Sequence, residues 1–222
     1  MVTTTKSAPT ADRERATRSQ DPEGVKRDIL AVAKDEFAAK GFSGARVDEI
    51  AARTKTSKRM IYYYFRDKEG LYLAVLEEVY AGIRSVEATL DLENLAPDAA
   101  LKALVSFTFD YQNANPDFVR LVMIENIHDA KHLKNSNAIQ NLNVTVIDSL
   151  RRMLLRGEKI GVFRRGVDPV DLHMTISALC FFNVANRATF STIFKVDMTS
   201  LKALAVRRNQ VVDMVLRYVA AR

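Results

Sequence analysis

The chain has 222 residues, of which 48% are hydrophobic and 27% charged, with a formal charge of +6. That supplies ample core material for one or two domains, and a mild basic excess compatible with nucleic acid without demanding it. One cysteine, Cys180, excludes an intrachain disulfide. No apolar run reaches the roughly 18 residues of a membrane span, and the first residues lack the apolar middle of a signal peptide. The expectation is a soluble, cytoplasmic protein.

Residues 1–21 are rich in Thr, Ser, Ala and Arg without apolar periodicity and read as a disordered arm. Its Arg13, Arg15 and Arg18 either brush a phosphate backbone or simply keep the arm solvated. From Pro22 helices dominate. Val25, Ile29, Val32, Ala33 and Phe37 repeat at helical spacing, and Gly41 is placed to end that helix. A short helix turns Val47, Ile50 and Ala51 inward, and a third turns in Ile61 and Phe65. Asp67 caps a fourth helix running to about Leu90. Pro97 marks a further start, and Asn115-Pro116 a break between two more helices. A long helix is expected from Ser136 to about Leu155, ended by Gly157 and Gly161. Asp168-Pro169 opens an apolar helix to about Phe194, and a last amphipathic helix covers about Thr199 to Ala220. No strand of useful length is expected.

Between Arg46 and Lys68 lies the densest chemistry: RVDEIAARTKTSKRMIYYYFRDK. It reads as helix, three-residue turn, helix. If Ile61 and Phe65 face the core, Lys58 pairs with Tyr62 and Arg59 with Tyr63 on the other side, each at i, i+4. Cations near a helix N-terminus oppose its dipole, so they require another reason, which a phosphate or a guanine edge supplies. Three consecutive tyrosines cannot all face the core of so short a helix.

Pro22 to Tyr72 closely resembles the N-terminal domain of TetR-family transcriptional regulators. The matching frame is Phe37-Ala38-Ala39-Lys40-Gly41-Phe42, then Val47-Asp48-Glu49-Ile50-Ala51, Ser57-Lys58, Ile61-Tyr62-Tyr63-Tyr64-Phe65 and Lys68-Glu69. Farther on, Asn115 to Leu121 and Gly161-Val162-Phe163-Arg164 before Asp168-Pro169 also look like family members. The resemblance implies an all-α fold. A three-helix DNA-binding domain with a helix-turn-helix would occupy residues 22–70, and a larger helical effector-binding and dimerisation domain residues 71–222. It implies a homodimer on palindromic operator DNA, released by a small-molecule effector. It places DNA contacts on Arg46, Ser57, Lys58, Arg59, Tyr62, Tyr63, Tyr64 and Lys68. Two departures stand out: Lys55 where the turn usually carries Gly, and Arg66 where Pro is frequent.

Candidates for an apolar effector pocket with a few polar groups are Phe107, Tyr111, Met123, Asn126, Ile127, Met153, Cys180, Phe181, Asn183 and Arg187. Asn183 and Arg187 are four apart in an apolar helix, so Arg187 is either a receptor for an anionic effector or half of an ion pair. The helices at 168–194 and 199–220 are expected to form the dimer. Two rivals remain at this point. One is a sequence-tolerant architectural DNA-binding protein without an effector. The other is a metal-dependent enzyme using His128 and His132, read as i, i+4 on one helix. No HExxH, Walker loop or nucleophile elbow is present, so no cofactor is expected and the enzyme reading rests on that histidine pair alone.

Overall fold

The structure is a computed structural model that describes residues 21–221. The arm expected over residues 1–21 lies outside it except for Asp21. That residue caps the first helix: its carboxylate accepts from the Gly24 N–H at 2.8 Å, with Pro22 in the first turn. Ten α-helices follow among the described residues, with no ladder-forming strand. They are α1 (Pro22–Gly44), α2 (Val47–Thr54), α3 (Lys58–Phe65), α4 (Lys68–Glu87), α5 (Pro97–Ala114), α6 (Pro116–Ile127), α7 (Asn137–Lys159), α8 (Pro169–Ala185), α9 (Arg187–Phe194) and α10 (Leu201–Val219). None is long and apolar enough to cross a membrane.

Local signals set most boundaries. Gly41, at φ 70°, interrupts α1 where expected, and one further turn follows it. Lys55 adopts the left-handed conformation (φ 54°, ψ 32°) that closes α2. A side chain there costs about 1 kcal/mol. Lys55→Gly is therefore expected to raise stability by about 0.5–1 kcal/mol, read as a higher urea midpoint at unchanged slope.

After α3 the chain makes a γ-turn at Arg66 (φ 68°, ψ −59°), closed by the Asp67 N–H on the Phe65 carbonyl at 2.8 Å. Proline, frequent here by the family resemblance, has its φ locked near −65° and does not fit this turn. Asp67 then caps α4 through the Gly70 N–H at 2.7 Å. A Cβ on Gly70 would lie 2.1 Å from the Phe65 carbonyl oxygen, so only glycine lets α4 start this close to the end of α3.

Three expectations need correction. Gly157 does not end α7, which runs on to Lys159. The glycine sits inside the helix because a Cβ there would meet the Phe163 ring at 2.0 Å. The single helix expected to Phe194 is two, broken at Asn186 (φ −104°, ψ 5°), a residue of low helix propensity. His128 and His132 do not share a helix. Helix α6 stops at Ile127, and Asp129 and Ala130 both take φ 55° beyond it.

Two large cores form. One gathers Ile29, Phe37, Ile50, Ile61, Phe65, Tyr72 and Leu76 from the first four helices, and continues into Leu121 of α6 and Ile139 of α7. The other joins α5, α7, α8 and α10 through Leu101, Phe109, Leu150, Leu172, Ile176 and Val215. The shared boundary matters for function: the first four helices cannot move as a unit without disturbing α6 and α7.

Candidate nucleic-acid interface and inner cavity

Helix α3 is held by two side chains and presents the rest. Ile61 is fully buried and Phe65 nearly so, while Ser57 caps the helix by accepting from the Met60 N–H at 3.2 Å. On the outward side Tyr63 is 77% exposed and Tyr62 36%. Lys58 reaches back to Asp48 of α2 at 3.1 Å and lies 5.9 Å from the Tyr62 ring centre, so the expected i, i+4 pairing exists. Its cation therefore has an intramolecular partner. Arg59 is exposed and has no acid partner among the described residues. Tyr64 is half-buried, edge-on to Tyr63 and tilted against Phe65, and so contributes less to the open face. Arg46 is exposed at the start of α2. The Lys68 ammonium is drawn inward, donating to the Ser43 carbonyl at 3.3 Å above the Phe42 ring, and burial lowers its pKa against the opposing pull of Glu36.

Glu36, not singled out from the sequence, organises the approach to this face. Only 4% exposed, it accepts from the Arg46 N–H at 3.3 Å and pairs with Lys40 at 2.8 Å and Arg53 at 3.9 Å. Burial alone would raise its pKa, but Lys40, the Arg46 amide and Arg53 together hold it below the usual carboxylate value. It locks the α1–α2 turn, and with it Arg46, against α1. Lys40 is a local i, i+4 partner, but the Arg46 amide and Arg53 lie ten and seventeen residues on, which no local pattern reveals.

A family model described as bacterial regulatory proteins of the tetR family matches residues 29–75. A second, described as the tetracyclin repressor-like C-terminal domain, matches residues 97–215. The HTH-type transcriptional repressor NicS of Pseudomonas putida is 34% identical over 205 residues, covering 92% of this chain and 97% of that protein. The chain belongs to the TetR family. It is a DNA-binding transcriptional regulator with an N-terminal helix-turn-helix domain and a helical C-terminal domain. The regulator RutR of Escherichia coli is 34% identical over 108 residues, about half of each protein. Among solved structures, the transcriptional regulator SCO4942 of Streptomyces coelicolor superposes with a TM-score of 0.66 at 30% identity, over 88% of this chain and 98% of that one. A tetR-family regulator from Rhodococcus superposes with 0.70 at 19% identity, over 89% and 98%, a likeness of fold.

In the C-terminal part of this TetR-family chain, helices α4 to α8 line a cavity of about 230 Å³. Of the pocket residues expected from the sequence, Phe181 lines its wall, and Phe107, Tyr111 and Met123 pack in the cluster beside it. The other candidates do not line it. Met153 and Cys180 are core residues, 2% and 0% exposed, and burial pushes the Cys180 thiol up to about 12. Asn126 and Ile127 face outward at the end of α6, Ile127 being 75% exposed. Asn183 and Arg187 do converge, as their spacing suggested, but on Asn113 of α5. Both donate to its Oδ1, at 2.9 and 2.6 Å. Arg187 thus has neither the acid partner nor the place in this cavity that the sequence suggested. The wall instead carries Arg84, Thr108, Gln112, Asn143 and His173. They come from α4, α5, α7 and α8, and only the tertiary fold brings them together.

Of the two histidines, His132 is a buried hydrogen-bonding partner. The His132 ring is buried with Nδ1 at 2.8 Å from Glu125, and its centre is 6.5 Å from that of His128. Among the described residues no three His, Cys, Asp or Glu side chains are grouped to hold a metal ion.

Proposed function

We propose that this TetR-family regulator is a cytoplasmic repressor. It binds a near-palindromic operator as a homodimer and leaves it when a small-molecule effector occupies the C-terminal domain. In this reading residues 22–70 form the DNA-binding domain and residues 71–222 the effector-binding and dimerisation domain. Arg46, Ser57, Lys58, Arg59, Tyr62, Tyr63, Tyr64 and Lys68 form the DNA contact set. The observation that carries it is the open α3 face, where Arg59, without an acid partner among the described residues, stands beside exposed Tyr62 and Tyr63. A short helix with this face suits a major groove: arginine grips guanine O6 and N7, and tyrosine hydroxyls reach phosphates. The likeness to NicS, named as a repressor, supports the direction of regulation.

Dimerisation has its own support. Helices α8 and α10 pack on each other and leave apolar side chains outside: Met174 and Phe182 on α8, Val206 and Met214 on α10. A two-fold pair through these faces would set two α3 helices in successive grooves. The effector acts only through its different affinities for the DNA-competent and released states.

On duplexes enriched from a random pool, Arg59→Ala is expected to weaken binding by about 1–3 kcal/mol and relax preference at one base pair per half-site. Lys68→Ala is expected to weaken all duplexes alike and to reduce the salt slope. Gel shifts across a salt series read both, and wild-type behaviour from both variants overturns this docking.

A further inference from the structure

At each end of α3 one expected DNA contact is engaged inside the molecule, and a second cation is exposed beside it. We infer, resting on the docking of α3 in the major groove, that Lys55 and Arg66 are further DNA-contact residues. Each supplies its charge to a phosphate, one at either end of the helix.

At the start of α3 the Lys58 ammonium is paired with Asp48 at 3.1 Å, and before it Arg53 is paired with Asp35 at 3.1 Å. Lys55 lies between them in sequence, exposed and with no acid partner among the described residues. At the end of α3 the Lys68 ammonium donates to the Ser43 carbonyl at 3.3 Å, above the Phe42 ring. Arg66, two residues earlier, is exposed and has no acid partner among the described residues. The adjacent Asp67 carboxylate turns instead to the Gly70 N–H at 2.7 Å. A phosphate that approaches Lys58 or Lys68 has to replace an intramolecular partner. One that approaches Lys55 or Arg66 displaces only water and small ions.

The backbone gives the second indication. Lys55 at φ 54° and Arg66 at φ 68° are both left-handed. A side chain opposes that conformation, and glycine would relieve it. Two cations therefore occupy positions where folding favours another residue. Such outliers gather at functional sites, and these two border a single helix.

Spacing is the third. A helix of eight residues is about 12 Å long, and the major groove of B-DNA is about 12 Å wide. With α3 seated in the groove, the turns at its two ends fall near the phosphate walls. Contacts made there fix register and orientation and carry no base preference.

Lys55→Gly and Arg66→Gly test this without endangering the fold, because glycine suits both turns. Gel shifts on a duplex enriched from a random pool, from about 50 to about 200 mM salt, should show the salt slope lowered by about 0.9 in each variant and about 1.8 in the double variant. The affinity advantage of the wild type over each single variant should shrink about threefold to fourfold across that range. Base preference should be unchanged, and the urea midpoint should not fall. Lys55→Arg and Arg66→Lys, which keep the charge, should keep the wild-type slope. A merely structural role predicts a higher urea midpoint at the wild-type salt slope, and that result overturns the inference. A changed base preference in either glycine variant overturns it as well. If the wild type selects no site from the pool, the slopes are read on random duplexes, where lowered slopes keep the phosphate contacts and lose the regulatory reading. A wild type that selects a site, with both glycine variants keeping its slope, loses the two contacts alone.

Discussion

Replacing Phe65 with alanine is expected to destabilise the protein by about 3–5 kcal/mol, the range for truncating a buried aromatic, and to abolish DNA binding. Helix α3 has eight residues, far too few to persist without tertiary support. Its only buried side chains are Ile61 and Phe65. Phe65 is also the point at which α3 meets α4: its carbonyl closes the Arg66 turn and rests where a Gly70 side chain would stand. Without the ring, the outward face loses its placement although none of its own residues has changed. Tyr63→Ala is the control. At an exposed site it should leave stability within about 0.5 kcal/mol while weakening DNA binding. Urea unfolding and gel shifts on both variants decide the matter. A Phe65→Ala protein that binds like wild type removes the anchoring account.

Glu125→Ala is the second large effect. The carboxylate is 1% exposed and accepts from the His132 N–H at 3.2 Å, the His132 ring at 2.8 Å and the Leu133 N–H at 3.2 Å. Removing it leaves three donors unpaired, each costing about 1–3 kcal/mol, so the loss should be at least about 3 kcal/mol. The effect falls at a joint: the His132 ring lies 4.6 Å from Phe42 and 4.9 Å from Tyr72, both of the first four helices, while Glu125 belongs to α6. Glu125→Gln keeps one acceptor oxygen and should cost clearly less. Equal losses from the two substitutions, measured by urea unfolding, would show that the carboxylate's hydrogen bonds are not what holds this joint.

What the sequence made legible was local. Ser57, Asp67 and Asp168-Pro169 announce helix starts because a cap acts within three residues. Ile61 and Phe65 mark the inner face of α3 because four residues is nearly one turn, and the outward face follows from them by subtraction. The misses are contacts between distant segments. Gly157 reads as a stop signal until Phe163 is seen against it. Arg187 reads as an anion receptor or half of an ion pair until Asn113, 74 residues earlier, is found holding it. Arg84 and Gln112 carry no periodic signal, since what distinguishes them is a place on the wall of a cavity that several helices create. The outward face of α3 was legible and the cavity was not, because the face is built on one helix and the cavity on several.

Hydrogen exchange of the backbone amides, with and without a duplex enriched from a random pool, tests the central claim most directly. Slowed exchange is predicted at the start of α3 around Ser57 to Met60, at the Arg46 turn and at the start of α4 by Lys68. Unchanged exchange at all three, with protection of another surface when DNA is bound, would contradict the assignment of α3 as the reading helix.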